Sequence, residues 1–222
     1  MRGIESYKAD IIEFGRRLYE RDLIGAAEGN LSARLPDGRV LITPSAANKG
    51  RLESGDMIVV DLEGNVIEGN GEPSSEIKLH LEVYDLRADV NAVCHAHPVY
   101  ATAFSAVGRS FNSAVLPEIV GTLGGIPLVE YAPPGSEELA RNLGRYLNRY
   151  DAFLLRSHGA VALGKTCEEA FNRLESVERF ARILYIAERI GRPGLLSRAE
   201  TIRLLEKAGR IDVLDEIIFG EE

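Results

Sequence analysis

Hydrophobic residues recur along the chain with two spacings, one typical of helices and one typical of strands. Apolar side chains at helical spacing predict helices over about residues 6–22, 136–149 and 166–190. Short apolar runs bounded by turn residues predict strands over about residues 31–35, 40–43, 57–61, 66–67, 90–97, 126–131, 152–156 and 161–163. Because strands and helices alternate without a strict strand–helix–strand repeat, we expect an α/β fold with a central, largely antiparallel sheet flanked by helices.

Turn and capping residues refine these boundaries. Asp37-Gly38 lies between two apolar runs and favours a hairpin, since this pair supplies the positive φ angles of a tight turn. Ser74 can cap a helix that begins just after it, and Thr166 opens a capping box before the longest predicted helix. No linker interrupts the pattern, so we expect a single domain over residues 1–222, with a helical C-terminal tail from about residue 197.

Charge and cysteine content narrow the class of protein. The 222 residues carry a formal net charge of −8, which argues against nucleic acid or an anionic membrane as the main partner. No apolar stretch approaches the ~20 residues needed to span a bilayer, and the charged N-terminal segment does not resemble a secretory signal. Two cysteines, Cys94 and Cys167, are too few for a disulfide framework, so we expect a reducing, cytoplasmic location.

Three of the four histidines lie at predicted strand ends. His95 and His97 are two residues apart after an apolar run, and the two-residue period of a strand points both imidazoles to one face. His158 lies in a turn after the strand at 152–156. If the two strands are neighbours, the three imidazoles meet and leave coordination positions open, as in a catalytic metal site.

A His-x-His pair alone is a weak signal, and a histidine at a strand end is commonly a hydrogen-bonded polar residue. The combination of all three favours a metal site. Imidazole ligands suit Zn²⁺ and also Mn²⁺, Co²⁺ or Fe²⁺, so the residues by themselves leave the metal open.

Hydroxyl-bearing turns offer a second kind of chemistry. Ser74 and Ser75, at the start of a predicted helix, can bind an anion with their hydroxyls and the free backbone amides, and Glu76 would lie beside it. Asn30, which follows a glycine, and Ser45, at a strand end, can contribute further donors. Taken singly, each segment is also ordinary capping or turn chemistry.

Five segments in this order resemble the class II aldolase/adducin-head family, which includes the fuculose-1-phosphate-type sugar-phosphate aldolases. They are Glu28-Gly29-Asn30-Leu31-Ser32, Leu41-Ile42-Thr43-Pro44-Ser45, Pro73-Ser74-Ser75-Glu76, His95-Ala96-His97-Pro98 and Ser157-His158-Gly159. The resemblance implies that His95, His97 and His158 bind zinc and that Glu76 is the general base. It assigns phosphate binding to Gly29, Asn30, Ser45, Ala46, Ser74 and Ser75. It further implies a homotetramer with active sites at subunit interfaces.

The activity implied by the resemblance is reversible cleavage of a ketose 1-phosphate into dihydroxyacetone phosphate and an aldehyde, through an enediolate that the metal stabilises. Glu76 would exchange the proton on the carbon next to the carbonyl. Because an ordinary glutamate, with a pKa of ~4.3, is a weak base, we expect a dry site or the phosphate to raise the pKa of Glu76.

The chain departs from the family pattern in several places. The stretch at 113–120, where the aldolases carry an acid tyrosine, contains no tyrosine; Glu118 or a metal-bound water is the hypothesis for the acid. Ala46 occupies a position commonly held by glycine. We expect Lys49, in the same loop, to be exposed, with phosphate binding as the alternative. We expect His80 to be a hydrogen-bonded, partly buried residue rather than a fourth metal ligand.

Three other functions stay open from the sequence. A methylthioribulose-1-phosphate dehydratase and a pentulose-phosphate 4-epimerase belong to the same family, although the chain lacks the His-x-Asp-Tyr segment of the epimerases. A non-catalytic, adducin-like assembly module is the third. That module is expected to have lost the histidine triad, whereas His95, His97 and His158 are all present together with Glu76.

Overall fold

An eight-stranded sheet forms the centre of the molecule in a computed structural model that describes residues 2–220. The strands follow one another across the sheet in the order β4-β3-β2-β1-β5-β8-β7-β6. Their bounds are β1 (Asn30–Arg34), β2 (Val40–Ile42), β3 (Ile58–Val60), β4 (Val66–Glu68), β5 (Ala92–Ala96), β6 (Leu128–Val129), β7 (Ala152–Leu155) and β8 (Gly159–Gly164). All pairs are antiparallel except β6 with β7.

Seven α-helices lie on the two faces of this sheet within the described residues. They are α1 (Ile4–Glu20), α2 (Ile77–Leu86), α3 (Val99–Ala106), α4 (Pro117–Leu123), α5 (Glu137–Gly144), α6 (Cys167–Ile190) and α7 (Arg198–Ala208). Short 3₁₀ helices occur at Lys49–Arg51, Ser54–Asp56 and Ile211–Glu216. The predicted α/β class and largely antiparallel sheet are therefore confirmed.

The hydrophobic core has two parts, one on each face of the sheet, because successive strand residues point to opposite sides. In β5, Cys94 packs into the part covered by α1, α3 and α6, whereas Val93 packs into the part covered by α2 and α5. His95 shares the face of Val93. The alternation thus places His95 on the side of the sheet where α2 begins.

Three local predictions differ from the structure. Helix α4 was not predicted, since its seven residues are too few to show a clear period and include Gly121. Helix α5 ends at Gly144 instead of near 149. Helix α2 begins at Ile77, with Glu76 at the N-cap, so Ser74 does not cap the helix; its Oγ instead accepts a hydrogen bond from the Glu76 backbone N–H (3.3 Å).

The longest helix begins as its capping residues predict. Thr166 is the N-cap of α6, and its hydroxyl accepts a hydrogen bond from the backbone N–H of Glu169 (3.1 Å). The Glu169 carboxylate accepts from the backbone N–H of Lys165 rather than from Thr166, so only half of the capping box forms. None of the helices within residues 2–220 is long and apolar enough to cross a membrane.

Candidate functional site

The three predicted metal-binding histidines lie together at one end of the sheet. Their candidate ligand atoms all lie within 4.8 Å of one another, and the Nε2 atoms of His95 and His97 are 3.1 Å apart. Two nitrogens bound at ~2.0–2.1 Å to a tetrahedral metal lie about 3.3 Å apart. The spacing of the imidazoles therefore suits a shared divalent cation.

The pairing of strands explains this convergence and corrects one expectation. The strand that contains His95, β5, pairs with β8, and β8 separates it from β7. The two predicted strands are therefore not direct neighbours. His158 reaches the site because it lies in the tight turn between β7 and β8, beside Gly159, and this turn meets the end of β5 where His97 follows.

Gly159 leaves the room that the imidazoles need. A Cβ atom at this position would lie 2.7 Å from Cδ2 of His97 and 3.3 Å from Cε1 of His95. Ser157, two residues earlier, has a φ of 56°, a left-handed conformation that tightens the turn. Sequence reasoning did not single out Gly159, because its importance depends on the neighbouring strand.

Glu76 brings a carboxylate to the three histidines. Its Oε2 lies 3.0 Å from Nε2 of His95, and its Oε1 lies 3.5 Å from Nε2 of His158. Oε2 also accepts a hydrogen bond from the Asn30 side-chain amide (2.9 Å), whereas Oε1 is buried without a hydrogen-bond partner among the described residues. One oxygen is thus held in place and the other is free to accept a proton.

The tautomer of neutral His95 indicates that the cluster suits a cation. Nδ1 of His95 lies 3.0 Å from the carbonyl oxygen of Ala160, so the ring donates there and directs the Nε2 lone pair at its neighbours. In the neutral triad, Nε2 of His95 therefore faces the Glu76 carboxylate with no hydrogen between them. A positive charge at this point, as a metal ion would supply, removes the repulsion between these acceptors.

The pKa values of the three histidines are shifted by burial and by the charges beside them. Burial lowers the pKa of His95, but the neighbouring Glu76 carboxylate outweighs it and raises the pKa overall. Burial and the positive field of His95 lower the pKa of His97, and they lower that of His158 to about 4. His97 and His158 are therefore neutral at pH 7, as metal binding requires.

The expected rise in the pKa of Glu76 is contradicted. Burial by itself raises the pKa of this carboxyl. When His95 is protonated, its charge and the hydrogen bond that it then donates, together with the field of His158 and the hydrogen bond from Asn30, hold the pKa of Glu76 well below its usual range. Glu76 is therefore ionised, and it can accept a proton without first losing one.

The loops predicted to bind phosphate are held side by side. Pro44 and Pro73 form an antiparallel bridge, and the Ser45 N–H donates to the carbonyl of Glu72 (3.0 Å). Within residues 2–220, the hydroxyls of Ser45 and Ser75 and the backbone N–H of Ala46 and Ser75 make no hydrogen bond, so they are among the donors available to an anion.

Gly29 and Ala46 have left-handed backbones in these loops, with φ angles of 67° and 54°. A Cβ atom at Gly29 would lie 2.7 Å from the carbonyl oxygen of His95, so glycine is required there. Ala46 adopts at some cost a conformation that glycine adopts freely.

Lys49 is not exposed as expected. Its side chain is buried, with 2% of the residue accessible, and Nζ donates to the carbonyl oxygens of Ala27 and Ala47, both at 2.8 Å. These carbonyls flank the Gly29 loop and the Ala46 loop, so Lys49 joins the two loops. Burial lowers the pKa of Lys49 to about 8.

Glu118, His80 and Cys94 are not part of the histidine cluster. Glu118 is exposed in the first turn of α4, and within residues 2–220 its carboxylate makes no hydrogen bond or ion pair with the histidines or Glu76. His80 is hydrogen-bonded at both nitrogens and is not one of the clustered ligands, as expected, but it is fully rather than partly buried. Cys94 is buried, and burial raises the pKa of its thiol.

One neighbour of the site was missed. Glu28 Oε1 lies 3.8 Å from Nδ1 of His97, and Oε2 accepts a hydrogen bond from the Gly25 N–H (2.9 Å). The carboxylate is half-exposed at the rim of the cluster. Its place beside Gly29 in the chain was the available signal, but only the fold shows that this loop meets His97.

The chain is similar in sequence to two kinds of curated enzyme. An L-fuculose phosphate aldolase from Methanococcus maripaludis is 38% identical over 178 residues, which cover 80% of this chain and 95% of the relative. A 3-oxo-tetronate 4-phosphate decarboxylase from Pectobacterium atrosepticum is 33% identical over 183 residues, which cover 81% of this chain and 84% of the relative.

Comparison with solved structures also finds an L-fuculose 1-phosphate aldolase. A solved L-fuculose 1-phosphate aldolase superposes with a TM-score of 0.85 at 34% identity, covering 91% of this chain and 95% of the other. Residues 9–185 match the family described as Class II Aldolase and Adducin N-terminal domain. The chain therefore belongs to the class II aldolase and adducin N-terminal domain family.

Proposed function

We propose that this protein is a metal-dependent aldolase that reversibly cleaves a ketose 1-phosphate into dihydroxyacetone phosphate and an aldehyde. The observation that carries the proposal is the meeting of three imidazoles with the Glu76 carboxylate, whose Oε1 has no hydrogen-bond partner within residues 2–220. The related L-fuculose phosphate aldolases support the substrate class.

His95, His97 and His158 would hold the metal, and we propose zinc because its usual ligand set in catalytic sites is three protein side chains with one open position. A bound divalent cation supplies Lewis-acid chemistry: it stabilises the negative charge that forms on the substrate oxygen when the carbon–carbon bond breaks. The Nδ1 hydrogen bond of His95 to Ala160 fixes which nitrogen of that ring faces the site.

Glu76 would act as the general base and acid at carbon. In cleavage, the hydroxyl that becomes the aldehyde oxygen gives its proton to the acid–base group at that oxygen, and the bonding electrons remain with the ketose-derived fragment. Glu76, after taking up a proton from solvent, delivers it to the carbon next to the carbonyl of that fragment. In condensation, Oε1 removes that proton. The carboxylate is ionised in the resting site, which is the form that condensation requires.

The substrate phosphate would bind to Gly29, Asn30, Ser45, Ala46, Ser74 and Ser75. In our proposal the hydroxyls of Ser45 and Ser75 and the N–H groups of Ala46 and Ser75 make the direct contacts. Asn30 is adjacent, although its side chain is engaged with Glu76 and His80. Phosphate binding then holds the reacting carbons in register with the base.

We propose a homotetramer with the active site at a subunit interface, in which a neighbouring subunit supplies the acid for the aldehyde oxygen. The support is that Glu118, the candidate within the chain, makes no hydrogen bond or ion pair with the cluster among the described residues. A cytoplasmic location is part of the same proposal, supported by two free, buried cysteines, Cys94 and Cys167.

Decarboxylation of a 3-oxo sugar-acid phosphate is the second candidate. It is favoured by the related 3-oxo-tetronate 4-phosphate decarboxylases, and by the absence of tyrosine from residues 113–120. Loss of CO₂ from a carbon next to a carbonyl leaves charge on the same oxygen as aldol cleavage does. It creates no aldehyde oxygen, so it needs no acid at that position.

Product analysis separates these reactions. The purified protein, loaded with zinc, manganese or cobalt, is incubated with a panel of ketose 1-phosphates and 3-oxo acid phosphates. We expect dihydroxyacetone phosphate from the first group, and loss of the activity on chelation. Release of CO₂ and a ketone phosphate from the 3-oxo acid phosphates, with no aldehyde from the ketose 1-phosphates, identifies the decarboxylase. Dehydrated or epimerised products identify the other family reactions. No product from any substrate with metal bound contradicts the aldolase proposal.

Metal analysis of wild-type protein and His97→Ala tests the proposed metal ligands independently of activity. Wild-type protein is expected to retain close to one metal per chain after dialysis, and the variant less than a tenth of that amount. Equal metal content in both proteins would show that the histidine cluster is not the binding site.

A further inference from the structure

A chain of buried polar side chains extends from Glu76 into the core. Asn30 Nδ2 donates to Glu76 Oε2 (2.9 Å), and Asn30 Oδ1 lies 2.5 Å from Nε2 of His80. Nδ1 of His80 lies 2.6 Å from Oγ of Ser32, which lies 2.7 Å from the hydroxyl of Tyr84. All of these side chains are buried, with His80 and Ser32 completely inaccessible.

The direction of every hydrogen bond in this chain follows from its end at Glu76. An ionised carboxylate only accepts, so the Asn30 NH₂ group must face it, which turns the Asn30 carbonyl oxygen towards His80. His80 must then donate from Nε2. In neutral His80, Nδ1 is left as an acceptor; therefore Ser32 donates to His80, and Tyr84 donates to Ser32.

The alternative arrangements each lose a hydrogen bond or bring two acceptors together. A flipped Asn30 amide would direct its oxygen at the Glu76 carboxylate. The Nδ1–H tautomer of His80 would direct a lone pair at the Asn30 oxygen. Burial lowers the pKa of His80 to about 3, so the ring is neutral in the folded protein and only one tautomer satisfies both neighbours.

We propose that His80 is a positioning residue for the reaction: through Asn30 it fixes the orientation of the Glu76 carboxylate, so that Oε2 is held and Oε1 is presented to the substrate carbon. Ser32 determines the tautomer of His80 by donating to Nδ1, and Tyr84 in turn donates to Ser32. The inference rests on the proposed role of Glu76 as the base, and it assigns a task to a histidine that binds no metal.

The tautomer can be tested without any substrate. In protein labelled with ¹⁵N at histidine, two-bond ¹H–¹⁵N correlations at pH 7 distinguish a protonated Nε2 from a protonated Nδ1. We expect His80 to show a protonated Nε2, an unprotonated Nδ1 and a slowly exchanging ring proton. A protonated Nδ1, or a doubly protonated ring, overturns the inference whatever reaction the enzyme catalyses.

Kinetics test the positioning itself, using the substrate that the wild-type enzyme turns over. His80→Leu removes both hydrogen bonds, whereas His80→Gln keeps a donor and an acceptor at nearly the same separation. We expect kcat to fall about tenfold to hundredfold in His80→Leu with KM and metal content little changed, because a misplaced reacting group costs rate rather than binding. His80→Gln is expected to recover at least half of the loss on a logarithmic scale.

Val83→Ala is the matched control, because Val83 is fully buried on the same helix and lies outside the polar chain. We expect it to lower the unfolding temperature while leaving kcat within about threefold of wild type. If kcat falls equally in Val83→Ala and His80→Leu, or if His80→Gln recovers nothing, His80 is structural only. A wild-type enzyme with no activity contradicts the proposed function, and the tautomer measurement still decides the hydrogen-bond chain.

Discussion

At the scale of single residues, the two carboxylate oxygens of Glu76 have different surroundings. Oε2 is held by Asn30 and lies near His95, whereas Oε1 has no hydrogen-bond partner among the described residues. Leaving a buried carboxylate oxygen unpaired costs free energy, and such groups are uncommon in folded proteins. An oxygen in this state beside three imidazoles is best explained by a role in accepting a proton.

Replacement of Glu76 by glutamine removes the proposed base with almost no change in volume. We expect Glu76→Gln to keep the metal and to slow exchange of the substrate carbon proton with solvent by about 10²–10⁴-fold, the usual contribution of a general base. Incorporation of deuterium from D₂O into dihydroxyacetone phosphate measures the exchange. Exchange at the wild-type rate in a metal-loaded variant would show that another group is the base.

His80 predicts a specific dependence of stability on pH. Burial lowers its pKa from 6.5 to about 3 on folding, so between these values the unfolded chain binds a proton that the folded chain does not. Stability therefore falls as the pH falls from about 6.5, by up to about 1.4 kcal/mol per pH unit from this residue alone.

Urea denaturation of metal-free protein at pH 7, 6 and 5 measures this effect. His80→Gln lacks the titrating group and provides the comparison, since the other ionisable residues are common to both proteins. We expect the free energy of unfolding to fall more steeply for wild type than for the variant. Parallel curves would mean that His80 becomes protonated in the folded state.

At the scale of elements, the turn between β7 and β8 positions His158 against the end of β5. Gly159 is the point of closest approach, because there is no room for a Cβ atom beside the ring of His97. Lys49 holds together the two loops predicted to bind phosphate, because its Nζ donates to the carbonyl oxygens of both Ala27 and Ala47. The site is thus assembled by contacts between connecting segments, on a rigid sheet.

Gly159→Ala tests this packing. The added methyl group must displace the His97 ring or separate β5 from β8, so we expect a loss of about 1–3 kcal/mol in the free energy of unfolding and weaker metal binding. Gly55→Ala is the control, since nothing lies within 4 Å of a Cβ atom there. Metal affinity and urea denaturation are the measurements, and wild-type values for both in Gly159→Ala would contradict the packing argument.

At the scale of the whole molecule, one buried acid connects distant parts of the chain. Asp151, immediately before β7, is 2.9 Å from Arg87 after α2 and 3.3 Å from Arg173 in α6, and it also pairs with Arg210 after α7. Burial alone raises the pKa of Asp151, but the field of Arg173 and Arg210 outweighs it and lowers the pKa. The C-terminal helix is thereby tied to the sheet by charge as well as by packing.

Asp151→Asn leaves three guanidinium groups around a neutral residue. We expect it to lower the free energy of unfolding by about 3–5 kcal/mol, because removing one partner of a buried ion pair leaves charge uncompensated. Asp89→Asn is the control, since Asp89 pairs with Arg87 at a side chain that is 54% exposed, and such pairs contribute ~0–1 kcal/mol. Similar losses in urea denaturation for both variants would contradict the assigned importance of Asp151.

The sequence by itself determined the elements and the chemical groups of the site. Helix α6 follows from its apolar period and the Thr166 cap, and the hairpin at Asp37-Gly38 follows from its turn residues. These features depend on neighbours within a few positions along the chain, so they can be read locally. The positions of His95, His97 and His158 at strand ends made them candidates for the same reason, whereas the role of Glu76 as the base was implied by the family resemblance.

Only the tertiary structure decided how those groups face one another. That β8 separates β5 from β7, that Lys49 is buried, and that Asn30 serves Glu76 and His80 all depend on residues distant in sequence. The low pKa of Glu76 is decided in the same way, because charge and burial depend on distance in space. Local patterns specify strands and caps, whereas strand order, burial and the direction of hydrogen bonds are set by long-range packing of the whole chain.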